Sequence, residues 1–385
     1  MLTILLAIIY LAFISLGLPD SLFGSSWPVV QQSLQVPLSW AGIFSIIVSG
    51  GTVISSFFSG KLIRRFGTAR VTVVSVLFTV VGIFGISFAS NFWVICLLGI
   101  PLGLGGGSID AALNNFVAQH YKSRHMNWLH CFWGLGASLG PIILSFFLVN
   151  NAWRQGYRAI GFIQLALFFV VLCSLPLWKK AVPHEYAPLE QRAKPVSTRT
   201  VLGTPGVKPT CLAFLAYCAL ESTAGMWGAT YMVSHHGISA DIAARLISLY
   251  FIGITLGRFL AGFVSDRLGN TRLVLLGCGG IFFGIVALLV PVPLLNQCAF
   301  ALIGLGCAPI YPALMHDTPA HFGQDLSQSV IGIQMSCAYV GATLLPPVFG
   351  LVAQYITSAL LPCFLAVYFA VMLLCVLRVR RRFDK

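Results

Sequence analysis

The chain has 385 residues, of which 58% are hydrophobic and only 9% charged, with a formal charge of +13. An ordinary soluble domain carries roughly 25% charged residues, and no soluble interior accommodates so much apolar sequence. Apolar runs of about 20 residues or more recur from end to end, each long enough to cross a hydrocarbon core of about 30 Å as a helix, so the chain reads as an integral membrane protein.

Twelve such runs fit the length, at residues 2–31, 39–60, 70–90, 92–119, 127–149, 157–178, 210–234, 242–264, 273–292, 294–315, 328–354 and 357–377. The first begins at Leu2 with no basic stretch before it and is too long for a secretory signal, so it is expected to persist as helix 1. Asp20, Phe23, Gly24 and Trp27 stand at i, i+3, i+4 and i+7 and share one face of that helix. A charge at the centre of a bilayer costs roughly 2.5–3.5 kcal/mol, and such residues usually face water or a partner. Asp110 and Asn114 likewise share a face of helix 4, behind the glycine run Gly103, Gly105, Gly106 and Gly107. In helix 5, His130 precedes Trp133 by one turn; the histidine suits hydroxyl binding, proton relay or plain helix packing.

Helix 7 carries the third buried-run acid, Glu221, on a stripe with Gly225 and Gly228. That stripe fits either a cavity wall or close contact between two helices. Trp227 and Tyr231 lie off the stripe in a regular helix. Trp27, Trp133 and Trp227 combine an apolar ring with a polar edge, which suits sugar binding and packing equally. In helix 8, Asp241 and Arg245 have the spacing and order of a favourable helix pair. Arg258 is expected to reach the membrane surface or to meet Asp266 or Asp317. Gln334 in helix 11 is expected to join Asn114 in a cavity, with Gln119 and Asn127 at the cytoplasmic end. The C-terminal Arg378, Arg380, Arg381 and Arg382 read as a topology and anionic-lipid anchor.

The other seven acids, Glu185, Glu190, Asp241, Asp266, Asp317, Asp325 and Asp384, fall in loops, near helix ends or in the tail. The basic residues mark topology. With the N-terminus in the cytoplasm, only Arg154 and Arg158 fall on the far side and Arg245 and Arg258 inside helix 8; the rest of the 23 are cytoplasmic. The positive-inside rule thus predicts both termini in the cytoplasm. The basic residues follow the loops rather than a groove, which argues against nucleic-acid binding. The eleven cysteines lie almost entirely within spans and read as small packing residues.

A polar stretch, 179–208, divides a six-helix bundle at 1–178 from a second at 209–385. Internal repetition supports the division: Gly51, Gly60, Arg65, Gly67 and Arg70 recur 202 residues later as Gly253, Gly262, Arg267, Gly269 and Arg272, and Gly136-Ala-Ser-Leu-Gly-Pro141 echoes Gly341-Ala-Thr-Leu-Leu-Pro346. The expected fold is all-α, with twelve transmembrane helices in two parallel bundles that rock about a midplane site.

The segment Gly262-Phe-Val-Ser-Asp266-Arg267-Leu-Gly269-Asn-Thr-Arg272 resembles the signature loop of the major facilitator superfamily. The first-half copy runs Gly60-Lys-Leu-Ile-Arg64-Arg65-Phe-Gly67-Thr-Ala-Arg70, with Arg64 where the signature has Asp. The resemblance implies an inner gate at Gly60, Arg65, Gly67, Arg258, Gly262, Asp266, Arg267 and Gly269. Within the superfamily the chain is similar to the fucose permease branch, through Gly17-Leu-Pro-Asp20-Ser-Leu-Phe-Gly24-Ser-Ser-Trp27-Pro28, Asp110-Ala-Ala-Leu-Asn114, Trp128-Leu-His130-Cys-Phe-Trp133, Glu221-Ser-Thr-Ala-Gly-Met-Trp227 and Gly304-Leu-Gly306-Cys-Ala-Pro309-Ile-Tyr-Pro312. Fucose permeases carry Glu at the helix 4 acid, Asp110 here, and a polar Asn where this chain has Trp133.

The resemblance implies proton-coupled import of a small neutral polar solute, a monosaccharide above all. Asp20 is the expected proton carrier, Asp110 its solute-linked partner and Glu221 a further coupling group. Phe23, Trp27, Asn114, His130, Trp133, Trp227, Tyr231 and Gln334 are the expected solute contacts. No metal or organic cofactor is expected: the glycines at 103–107 lie mid-span with no preceding strand for a dinucleotide fold, no metal-ligand spacing occurs, and with no phosphate-cradling loop the expected energy source is a proton gradient. The expected setting is a bacterial inner membrane, with a monomer as the working unit. Two rival readings are a proton-antiporting exporter, which Gly136–Pro141 partly resembles, and a transporter-shaped receptor.

Overall fold

The computed structural model describes residues 2–121, 123–181, 198–290 and 293–383, and these are helical almost throughout. In chain order the long helices are α1 (Leu2–Asp20), α2 (Leu22–Leu34), α3 (Ala41–Phe66), α4 (Thr68–Ile86), α5 (Phe92–His120), α6 (Ser123–Leu148) and α7 (Trp153–Cys173). Two short helices follow, α8 (Leu175–Ala181) and α9 (Thr198–Gly203). The second set is α10 (Val207–His236), α11 (Ala240–Leu268), α12 (Asn270–Leu289), α13 (Pro293–Cys307), α14 (Ile310–Phe322), α15 (Gln324–Tyr355) and α16 (Leu361–Phe383). Among the described residues, eleven stretches are long and apolar enough to cross a membrane. Helix α10 is the twelfth by position, and Lys208, Glu221, His235 and His236 dilute its hydropathy. The molecule is a multi-pass membrane protein of twelve spans.

Two expected spans are broken in the middle, for a local chemical reason. Pro19 has no N–H to offer the Ser15 carbonyl one turn earlier. That carbonyl instead accepts from Gln164 Nε2 of α7 at 2.6 Å, and the Ser15 hydroxyl donates back to Gln164 Oε1. The chain then turns at Ser21, so α1 ends on Asp20 and α2 starts two residues later. In the tenth span Pro309 follows a similar break, and the Cys307 carbonyl at the end of α13 accepts from Tyr217 Oη at 3.0 Å. Freed backbone groups are tolerated at membrane depth only where other groups satisfy them in this way.

The sequence repeat is also a packing repeat. A Cβ on Gly136 would lie 2.3 Å from the Ile14 carbonyl of α1, and a Cβ on Gly341 would lie 2.2 Å from the Leu215 carbonyl of α10. Each glycine lets the fifth helix of its bundle press against the first. Gly67 and Gly269 adopt the same backbone, φ 81° and 75° with ψ near 155°, as the single residues between α3 and α4 and between α11 and α12. Only glycine takes that conformation without strain.

Most of 179–208 lies outside the described residues. Helix α9, inside the expected loop, is docked rather than free: Val201 is fully buried with Val207, Cys211, Phe322 and Val330. The membrane face that carries both chain ends, the terminal face, also carries the α3–α4, α5–α6, α11–α12 and α14–α15 turns. On the opposite face the bundles meet closely. There Ser39 N–H donates to Gln354 Oε1 at 2.9 Å, and a Cβ on Gly42 would lie 2.8 Å from Pro347.

Candidate functional site

Because the bundles are closed on one face, the space between them opens toward the other. A cavity of about 900 Å³ runs from mid-membrane, at Asp20, Asp110 and Glu221, to Gly262, Asn270 and His316 on the terminal face. All three carboxylates therefore converge on one hollow, reached from both bundles.

Asp20 is delivered by the break between α1 and α2, and its side chain is exposed to the cavity. Its Oδ2 accepts from Trp133 Nε1 at 2.7 Å. Trp133 is placed by close contact of α1 with α6, where a Cβ on Gly17 would lie 2.0 Å from the Trp133 carbonyl. Asp110 is half-buried on α5, and Asn114, one turn on, donates to its Oδ1 at 2.8 Å and to its carbonyl at 3.0 Å. Glu221 faces Arg258, with Oε1 and Nη2 3.4 Å apart and both side chains about one-fifth exposed. Tyr250 Oη, from α11, donates to the Glu221 carbonyl at 2.9 Å. The Arg258 guanidinium also lies 5.4 Å from the centre of the Trp133 ring.

Phe23 and His130 complete the expected residues on the wall, His130 standing edge-on to Phe13. Asn114 is behind the wall and touches the cavity through Asp110. Four expected solute contacts are elsewhere. Trp27 is fully buried, and its Nε1 donates to the Leu38 carbonyl at 2.9 Å. Trp227 is fully buried against Phe349, with Nε1 on the Pro346 carbonyl at 2.8 Å. Tyr231 is buried and donates to the Leu288 carbonyl at 3.3 Å, and Gln334 exchanges hydrogen bonds with Thr318 at 3.0–3.2 Å. In each case the polar edge is satisfied inside the bundle, so nothing turns it toward the hollow.

Arg258 does not reach the membrane surface and does not meet Asp317; its partner is Glu221. Its position one turn after Thr255, on the α11 face that meets α6, points it inward to Glu221. The Asp241–Arg245 pair is also absent: Arg245 Nε donates across the bundles to Ser145 Oγ at 3.3 Å and stands over Phe146. Gly262 lines the cavity mouth, whereas the side chains of Asp266, Gln119 and Asn127 lie outside the described residues. Asp317 accepts from Asn270 Nδ2 at 2.6 Å, tying the α11–α12 turn to α14. Tyr311 and Tyr339 line the wall and were not anticipated. Tyr311 lies in the quoted Pro309–Pro312 segment, so a signal for it was present. The eleven cysteines are free thiols, and no group of three His, Cys, Asp or Glu suited to a metal occurs among the described residues.

A hollow of this size, with acids on three helices, aromatic walls and one closed end, is suited to take up a small solute. Comparisons with known proteins agree on the kind of molecule. The chain is 22% identical to the glucose/mannose transporter GlcP of Bacillus subtilis over 320 residues, which cover 79% of this chain and 77% of that one. It is 22% identical to the cis,cis-muconate transport protein of Acinetobacter baylyi, over 68% of this chain and 65% of that one. The crystal structure of the nucleoside transporter NupG superimposes over 98% of both chains with a TM-score of 0.76 at 12% identity. The family model of the Major Facilitator Superfamily matches residues 9–346 and, in a second match, 209–385. With nearly its whole length so matched, the chain belongs to the Major Facilitator Superfamily and is a transporter.

Proposed function

We propose that this transporter imports a small neutral polar solute, a monosaccharide first, together with protons, by alternating access. The observation that carries the reading is the meeting of Asp20 and Asp110 in one solvent-reachable hollow. Carboxylates retained at membrane depth and open to water are suited to bind a proton in one orientation and lose it in the other. Trp133, Tyr311 and Tyr339 offer faces for sugar C–H groups and edges for hydroxyls. The sugar transport in GlcP's name supports the choice of solute class. With both termini cytoplasmic, as the basic residues favour, the cavity is inward-facing. A proton gradient across a bacterial inner membrane then supplies the energy, and the single chain is the working unit.

The test uses proteoliposomes containing the purified protein, with glucose and mannose as the first probes. Sugar added outside should drive protons in, and Asp20→Asn should abolish accumulation while sparing sugar exchange. Uptake indifferent to the proton gradient, or export of apolar cations in place of sugar uptake, overturns the proposal.

A further inference from the structure

Four cavity side chains, two from each bundle, form a continuous line across the hollow. Asp20 of α1 accepts from the Trp133 indole of α6 at 2.7 Å. The same indole carries the Arg258 guanidinium of α11, 5.4 Å from its ring centre. Arg258 in turn reaches Glu221 of α10 at 3.4 Å. The line exists because α6 and α11 touch closely: a Cβ on Gly134, next to Trp133, would lie 2.1 Å from Thr255 Oγ1, one turn before Arg258.

We propose that Trp133 and Arg258 are the coupling element of this transporter, converting the charge on Asp20 into a bond between the two bundles. The inference rests on the proposed role of Asp20 as proton carrier. An ionised Asp20 is a strong acceptor for the indole N–H. It draws positive charge to that edge of the ring and leaves the face more attractive to a cation. Arg258, a planar cation suited to stacking, is then held to the first bundle by Trp133 and to the second by its own backbone and Glu221. Protonation of Asp20 weakens the acceptor and with it the hold on Arg258. The present cavity, open at the terminal face, is therefore favoured by the ionised form, and the neutral form releases the closed face. Trp133 and Arg258 are positioning residues here: neither carries the transported proton.

Hydrogen exchange followed by mass spectrometry on the full chain in nanodiscs, at one pH and without solute, tests this. Asp20→Asn stands for the neutral acid. In the otherwise native protein it should speed exchange of the closed-face segments 35–42 and 352–360 by roughly threefold or more, with Ser39 N–H as the natural reporter. In a Trp133→Phe background, which keeps an aromatic ring and removes the N–H, the same change at Asp20 should have no effect. Arg258→Lys, which keeps the charge but not the planar fork, should blunt the effect as well, and it decides the matter if Trp133→Phe does not fold. Should Asp20→Asn speed closed-face exchange equally in the native and variant backgrounds, the relay is wrong and Asp20 keeps its proposed role. Should Asp20→Asn have no effect even in the native protein, the relay falls, and the vesicle measurement of proton entry still decides the role of Asp20 by itself.

Discussion

At the scale of single residues, the contrast between Asn114 and Trp227 shows what separates a site residue from a packing residue. Asn114 has its amide on Asp110 Oδ1, a carboxylate open to the cavity, whereas the Trp227 indole N–H is spent on the Pro346 carbonyl inside the second bundle. A hydrogen bond to a charged group contributes about 1.5–3 kcal/mol to the folded state. Asn114→Ala should therefore lower the melting temperature and, because it frees the Asp110 carboxylate that Asn114 orients, also weaken sugar binding, measured by titration of the purified protein. Trp227→Phe should lower the melting temperature and leave the binding constant alone. The acids of the site were legible in the sequence because a charge in a hydrocarbon-length run is costly enough to demand water or a partner. The tryptophans were not. A buried indole and a cavity indole obey the same spacing rules, and only the position of the nearest free carbonyl decides between them. Arg258 was misread for a related reason: its distance from the helix end suggested escape to the surface, and Glu221, 37 positions away in the chain, gave no local sign of being its partner.

At the scale of helices, close approach through glycine sets the geometry that the residues then use. A Cβ on Gly17 would fall 2.0 Å from the Trp133 carbonyl, backbone against backbone, so α1 and α6 would have to separate. Overpacking of that kind costs about 1–3 kcal/mol, occasionally more. It would also move Trp133 away from Asp20. Gly17→Ala should thus lower the melting temperature and diminish proton-coupled accumulation together. Gly279, on α12, has nothing within 4 Å of its would-be Cβ, and Gly279→Ala should leave both measurements unchanged or gain slightly in stability. The repeat made this level partly readable: Gly136 and Gly341 share a sequence context and, in the structure, a packing role. The breaks at Ser21 and after Cys307 were hidden, because a proline in an apolar run is compatible with an unbroken helix. Whether the chain actually turns depends on groups such as Gln164 and Tyr217, brought in from other helices.

At the scale of the whole molecule, twelve spans and the two-bundle division follow from hydropathy and repetition, but the conformation does not. Alternating access, as proposed, requires the same twelve helices to be packed in a second arrangement, and nothing in the pattern of residues says which of the two is seen. The structure shows the arrangement that is closed where the turn before α3 meets α15 and open at the other face. Ser39 N–H on Gln354 Oε1 and Arg245 Nε on Ser145 Oγ are hydrogen bonds across the bundles, beside the close approaches of Gly42 to Pro347 and of Gly24 to the Met226 carbonyl. A neutral hydrogen bond contributes only about 0.5–1.5 kcal/mol net, so the Ser39–Gln354 bond by itself does not lock this face. A covalent link across it removes that freedom. Cysteines at Ser39 and Gln354, in a background freed of the eleven native cysteines, should be joined readily by a short thiol-specific reversible cross-linker when the protein rests with this face closed. Transport should stop on linking and return on reduction, while sugar binding from the terminal face persists. A linked protein that still transports would mean that the two bundles do not part at this face, and that the cavity exchanges its solute by another route.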